Sequence, residues 1–280
     1  VSSGALSRAA RHERGAERAR LNALQRLGPR LKTGCFRLEG VGPFIQACGA
    51  GLDLQSIFWC QRLLGSSLGK KLILQARRSG VSTFQVSPED FRSLSCTARA
   101  SGVAAVARQP WSALCAIDPR AGLCWLAIER IRSAGNLGTI LRTAEACGAA
   151  GLIVLDARAG AKGAPPVFTD PYAPDVVQAS RGALFHLELV RTTRAAFLSW
   201  ARREGVQLLA SSPRASADYT QAPIRRPRVL LIGEERRGLS DSLLAEGEPL
   251  RIPILGVGDS LNVAVATGVL LYELLRRDRA

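Results

Sequence analysis

The chain has 280 residues, 47% of them hydrophobic, and a formal net charge of +15. That length and apolar content suffice for at least one sizeable core and favour two domains. Every apolar run falls short of the roughly 18 residues needed to cross a bilayer as a helix, so a helical membrane protein is not expected.

Lysine occurs only at positions 32, 70, 71 and 162, so arginine carries the excess of positive charge. Its planar guanidinium suits phosphate, and a polyanionic partner, most simply nucleic acid, is expected. A GC-rich coding bias would account for arginine over lysine, but it accounts less well for the excess of bases over acids. The seven cysteines form no Cys-x-x-Cys pair and the only histidines are His12 and His186, so no metal site is expected. Several of these cysteines lie in apolar runs, as small buried hydrophobes do. A reducing compartment, the cytoplasm, fits them. An organelle is the alternative if residues 1–30 derive from a transit segment. No methionine occurs, even at position 1, as expected of a trimmed or processed sequence.

In chain order, residues 1–30 carry seven arginines against Glu13 and Glu17 and read as a basic arm or amphipathic helix. The spacing of Leu21, Leu24 and Leu27 predicts a helix at its end. Strands are predicted at 35–38, 56–60, 81–86 and 103–107. Helices fall between them, one at 72–78 and one opening at Ser87-Pro-Glu-Asp90. There Ser is the cap, Pro takes the first helical position and an acid follows three residues after the cap. Residues 31–108 therefore read as a small α/β domain, and 109–122, opening with Gln109-Pro-Trp-Ser112, as a linker.

The second domain is expected at 123–280. The continuous apolar run 123–128 suits a central parallel strand. Further strands are expected at 151–155, 187–190, 206–211, 229–232 and 250–254, with helices at 137–147, 175–185, 194–203 and 262–277. This alternation argues for an α/β fold whose parallel sheet carries helices on both faces.

Three glycine-punctuated segments carry the chemistry. The first, Glu129-Arg-Ile-Arg-Ser-Ala-Gly-Asn136, leads into a helix bearing Arg142. Asn136 by itself is explained as an N-cap, and Arg142 as a solvated basic residue. The second, Gly233-Glu-Glu-Arg-Arg-Gly238, ends a Val-Leu-Leu-Ile strand. It continues with Leu-Ser rather than Lys-Ser/Thr, which argues against a nucleoside triphosphate loop. Its adjacent carboxylates suggest binding to a hydroxyl or a cation, or simply a charged turn facing water. In the third, Arg251-Ile-Pro-Ile-Leu-Gly-Val-Gly-Asp-Ser-Leu-Asn262, either Ser260 or Asn262 should cap the following helix, leaving the other free for a ligand. That helix is strongly apolar, so the sheet or a second subunit should cover it. No Gly-x-Gly-x-x-Gly follows an early strand, and His186 has no Gly-x-Ser-x-Gly partner. A standard dinucleotide fold and a serine hydrolase are therefore disfavoured.

Together the three segments resemble the motifs of the SpoU (TrmH-type) branch of the SPOUT RNA methyltransferases, from about residue 123 to the C-terminus. Val177-Gln-Ala-Ser-Arg-Gly-Ala-Leu-Phe185 is similar to a further segment of that family. Gly34-Cys-Phe-Arg-Leu-Glu-Gly40, after a basic helix, resembles the L30e-like RNA-binding domain that precedes many of its members. The resemblance implies a parallel-sheet SPOUT domain with a C-terminal trefoil knot, working as a homodimer. It implies an S-adenosyl-L-methionine (AdoMet)-dependent ribose 2′-O-methyltransferase acting on structured RNA, with ribosomal RNA (23S-type) ahead of transfer RNA. By the same match Gly233, Ile252 and Leu261 line the cofactor through their backbones. Asn136, Arg142, Glu235, Ser260 and Asn262 fall on catalytic or substrate-handling positions.

Arginine is in general a poor base, so Arg142 is expected chiefly to bind phosphate and polarise the hydroxyl. Asn136 and Asn262 would orient it or the ribose, and Glu235 would position the first loop. The chain departs from the family in having Ser133-Ala134 for Asp-Pro and Glu129 for Asp. Loss of the proline is expected to loosen the loop before Asn136. The rival reading is a non-catalytic RNA-binding or ribosome-assembly protein that kept the fold.

Overall fold

The computed structural model describes residues 2–156, 169–213, 215 and 217–279. The chain forms two compact units: Val1–Pro110 with Asp170–Phe185, and Trp111–Thr169 with His186–Ala280. In chain order the first contains α1 (Ser2–Ala23), α2 (Leu27–Thr33), β1 (Cys35–Glu39), α3 (Val41–Gly49), β2 (Leu54–Trp59), α4 (Ser67–Arg78), β3 (Ser82–Gln85), α5 (Pro88–Leu94) and β4 (Val103–Arg108). The chain then builds β5 (Trp111–Ser112), β6 (Trp125–Ile128), α6 (Ala134–Ala146) and β7 (Gly151–Asp156). It returns to the first unit with α7 (Pro174–Ser180). The second unit is completed by β8 (Glu188–Thr193), α8 (Arg194–Arg203), β9 (Gln207–Ser211), β10 (Arg228–Ile232), α9 (Asp241–Leu244), β11 (Glu248–Leu250) and α10 (Val263–Arg279).

The first unit holds a four-stranded sheet in the order β1-β4-β2-β3, with β4 antiparallel to both neighbours and β2 parallel to β3. Leu21 of α1, Leu24 just beyond it, and Phe91 and Leu94 of α5 form one core with Cys35, Phe58, Ala104 and Val106. Ser87 caps α5 as its sequence predicts, accepting from Asp90 N at 3.0 Å, with Pro88 opening the helix. The helix expected at 72–78 is longer, because Ser66 Oγ caps it from Gly69 N.

The segment 170–185, expected within the second domain, belongs to the first unit. Phe36 of β1 lies 4.8 Å from Tyr172 and 6.0 Å from Phe185, ring centre to ring centre. Arg30 and Asp170 form an almost fully buried ion pair at 2.7 Å. The helix expected to run to 185 stops at Ser180. Arg181 turns into the left-handed region, and Gly182 follows with φ +96°. A Cβ at Gly182 would lie 2.6 Å from the Gln46 side chain on α3, so only glycine allows this approach.

The second unit is built on seven strands in the order β11-β9-β10-β6-β7-β8-β5, with every neighbouring pair parallel. Trp125, Ala127, Ile153, Leu155, Val229 and Leu231 point to one face and pack with Phe197, Trp200 and Leu243. Their sequence neighbours Leu126, Ile128, Leu152, Val154 and Leu230 are also buried, which is why these strands read as unbroken apolar runs. Two local expectations change. Trp111 and Ser112, read as linker, form an edge strand on β8. The strand expected at 250–254 is Glu248–Leu250, because beyond it the chain leaves the β9 ladder: Arg251 N donates to Ala217 O and Arg251 O accepts from Tyr219 N. α10 runs beside α6 with Leu270, Leu271 and Leu274 buried, while Val265 and Tyr272 stay about half exposed.

Candidate active site

Because the sheet is parallel, the loops after β6, β10 and β11 all leave from the same edge, the carboxyl ends of the strands. Open α/β sheets bind ligands there. These loops are the three segments singled out in the sequence.

The loop after β10 folds back on itself: Glu234 N donates to Gly238 O at 3.0 Å and Gly238 N to Glu234 O at 2.8 Å. Gly233 makes this possible, since a Cβ there would lie 2.1 Å from the Gly238 carbonyl carbon and 2.2 Å from Leu239 N. The turn presents Glu235 to the loop after β6. Its carboxylate accepts from the backbone N–H of Arg132 (3.2 Å) and Ser133 (3.0 Å) and from Asn136 Nδ2 (3.2 Å). Burial pushes the Glu235 carboxyl up, but these donors outweigh it and hold its pKa below the usual carboxylate value.

The chain of bonds continues into the third segment. Asn262 Nδ2 donates to Asn136 Oδ1 at 3.0 Å. Asn262 Oδ1 caps α10, accepting from Ala264 N at 2.9 Å and Val265 N at 3.3 Å. Asn262 is therefore the cap, and Ser260 is the spare polar group; its hydroxyl is exposed and donates to Asp259 at 3.3 Å.

Three expectations are corrected. Asn136 does not cap α6: Ser133 does, accepting from Asn136 N at 3.3 Å, which leaves the Asn136 amide free to bridge Glu235 and Asn262. The Ser133-Ala134 lead-in is not loose, since Ser133 is tied by its side chain to α6 and by its N–H to Glu235. The paired carboxylates do not await a cation. Glu234 ion-pairs with Arg130 (3.4 Å) and Arg132 (2.9 Å), and Glu235 is satisfied as described.

Arg142 is exposed on α6, and its side chain makes no hydrogen bond or ion pair with the described residues. It is not drawn into the Glu235–Asn136–Asn262 chain. Sequence reasoning missed the residues that hold the first loop. Glu129 pairs with Arg194 and accepts from Ser240 N at 2.9 Å, and Thr169 Oγ1 accepts from Ile131 N at 2.8 Å. None of these partners has a local signal, Arg194, Ser240 and Thr169 being 65, 111 and 38 residues away.

Residues 252–261 make no backbone hydrogen bond with another described residue, and Leu255 and Val257 are fully exposed. A loop with free backbone donors and acceptors beside apolar side chains fits an adenosyl group, which needs both. Ile252 and Leu261 lie in it, while Gly233 is buried at the base of the neighbouring turn.

A parallel α/β unit with interlocked glycine loops at its carboxyl edge defines the class, and comparison with known proteins gives the family. The model of the SpoU rRNA Methylase family matches residues 124–272. The 23S rRNA (guanosine(2553)-2′-O)-methyltransferase RlmP of Bacillus subtilis is 27% identical over 70% of this chain and 73% of its own. The AdoMet-bound rRNA methyltransferase of Sinorhizobium meliloti superposes with TM-score 0.81 at 30% identity, covering 93% of this chain and 94% of that one. The SpoU methyltransferase AviRb of Streptomyces viridochromogenes, in complex with AdoMet, gives TM-score 0.81 at 28% identity, covering 95% and 98%. The chain belongs to the SpoU rRNA methylase family.

Proposed function

We propose that this protein methylates a ribose 2′-hydroxyl of structured RNA, 23S-type ribosomal RNA ahead of transfer RNA, using AdoMet. The observation that carries the reading is the Glu235–Asn136–Asn262 chain, which joins all three loops into one polar site. The relative acting at a 2′-O position of 23S rRNA and the two AdoMet-bound structures support it.

When bound, AdoMet supplies the electrophilic methyl; the protein's task is then position and electrostatics. The free backbone groups of Ile252 and Leu261 suit an adenosyl moiety, and Gly233 keeps the neighbouring turn tight enough to leave room for it. Asn136, held from both sides, and the exposed Ser260 orient the ribose. Orientation of this kind takes several kcal/mol off the barrier. Arg142, exposed and without a partner among the described residues, binds the substrate phosphate and polarises the 2′-hydroxyl.

The same reading includes a C-terminal trefoil knot, which brings the C-terminal segment against residues 217–222. The bonds of Arg251 to Ala217 and Tyr219, and of Arg277 to Tyr219 and Ala222, support it. It includes a homodimer that covers Val265 and Tyr272, and an L30e-like role in RNA binding for the first unit.

Incubating the protein with methyl-labelled AdoMet and 23S rRNA, then separating the nucleosides by mass spectrometry, tests the reading. A 2′-O-methylnucleoside is expected. A base-methylated nucleoside, or RNA binding with no affinity for AdoMet, would overturn it.

A further inference from the structure

Between Asp53 and Glu89 the chain contains no acid, yet it carries Arg62, Lys70, Lys71, Arg77 and Arg78. Four of these lie on α4, which also holds two of the four lysines in the chain. Gly69 and Ile73 face inward. Half a turn away around the helix, Lys71, Gln75 and Arg78 are exposed, with Leu68 and Leu74 beside them at 48% and 49% exposure. None of the five cations forms an ion pair or side-chain hydrogen bond with a described residue. Other arginines are paired, as Arg30 is with Asp170 and Arg228 with Asp278.

The elements packed against α4 do not neutralise it. α3 and β3 contain no acid. Glu13 reaches β3, accepting from Ser82 Oγ. Arg77 and Arg78 lie in the last turn of α4, where cations suit the helix dipole, and Lys70 and Lys71 precede them by two turns. With no acid paired to these cations among the described residues, a bound polyanion is the natural counter-charge.

We infer that the outer face of α4 is an RNA-docking surface that engages the phosphate backbone. Lys71 and Arg78 on that face, with Lys70 and Arg77 on one flank, serve as phosphate contacts. Lys70 and Lys71 stand about 10 Å along the axis from Arg77 and Arg78, two turns of helix, so the strip spans more than one phosphate. Phosphate contacts fix position without reading sequence. The inference rests on RNA being the substrate, as proposed above, and it locates on α4 a phosphate-backbone contact of the first unit.

The test uses the full chain and deproteinised 23S rRNA, with binding measured across a salt series. Neutralising four contacts, as K70Q/K71Q/R77Q/R78Q, should make the slope of log K against log salt shallower by about three, at roughly 0.7 per single-strand phosphate contact. Affinity at low salt should fall at least about tenfold, with AdoMet binding unchanged. A control, R202Q/R203Q, removes cations already paired with Glu246 and Glu204 and should move the slope little. A wild-type slope in the quadruple variant would overturn the inference. So would a loss of RNA affinity confined to L68Q/L74Q, which would place the RNA contact on the apolar side chains of α4 rather than on its cations. The slope needs no turnover, so failure of methyl transfer counts against the proposed reaction alone.

Discussion

Asn136 and Asn262 lie 126 residues apart, yet the side-chain amide of one donates to the carbonyl of the other at 3.0 Å. Both amide orientations are forced. The Asn136 NH2 must face the Glu235 carboxylate, which only accepts, and the Asn262 oxygen must face the N–H groups opening α10. Their remaining polar ends are thereby matched.

This pairing separates a structural from a functional role for Asn262. Asn262→Asp keeps the cap and loses the donor to Asn136. It should leave Tm nearly unchanged while kcat for methyl transfer falls at least about tenfold, since one lost orienting bond of ~1.4 kcal/mol is tenfold in rate. Asn262→Ala loses both and should also cost about 1 kcal/mol of stability. Thermal melts beside single-turnover kinetics would distinguish them; equal destabilisation by both variants would assign Asn262 to the fold alone.

Glu235 gives a pH dependence. Its folded pKa lies below the ordinary value, so the stability it contributes is complete above the unfolded carboxylate pKa and is lost as pH falls through the folded one. Wild-type AdoMet binding should weaken in that acid window. Glu235→Gln, which keeps the shape but weakens the bonds to Arg132 and Ser133, should bind less tightly at neutral pH and lose that part of the acid response.

Arg142→Ala should abolish methyl transfer and leave AdoMet affinity nearly intact. Because Arg142 is exposed and has no partner among the described residues, the change in stability should stay within about 0.5 kcal/mol. Calorimetric titration of AdoMet and a thermal melt check both statements. Parallel loss of binding and transfer would make Arg142 structural.

Ser133→Asp with Ala134→Pro restores the pair usual in the family. Ser133 is the cap and Ala134 the first helical residue, whose N–H makes no hydrogen bond with a described residue. Proline is favoured at that position and aspartate is a good cap. The double variant should be neutral or more stable by about 0.5–1 kcal/mol, as denaturant titration would show. Clear destabilisation would mean that the loop requires the present pair.

Glu273, buried on α10, is held at a pKa of about 2, chiefly by the hydrogen bond from Arg276 and by that from Arg277, against the opposing effect of burial. Its contribution is present above the ordinary carboxylate pKa and lost as pH falls toward 2. Arg277 in turn bonds Ala222 O and Tyr219 O at 2.7 and 2.8 Å. Glu273→Gln should therefore lower Tm at pH 7 and flatten the dependence of Tm on pH below about 4.5.

Much of this protein was legible from local pattern. Unbroken apolar runs such as 123–128 gave central parallel strands, because both faces of the sheet are buried. Ser87-Pro-Glu-Asp90 gave a helix start, because a cap satisfies amides within three residues. The three glycine segments gave the loops of the site, and their order gave the family.

What the sequence determined by itself, then, was which segments form the carboxyl-edge loops and which polar residues they offer. Only the tertiary structure decided how those residues pair. It made Ser133 rather than Asn136 the cap of α6, Asn262 rather than Ser260 the cap of α10, and turned Glu234 and Glu235 to separate partners. It also drew residues 170–185 to the first unit through Phe36 and Arg30. The physical reason is range: capping and periodicity act over a few residues. The Glu235–Asn136 and Asn136–Asn262 bonds join residues 99 and 126 apart, which meet only once parallel strands have set their loops on one edge.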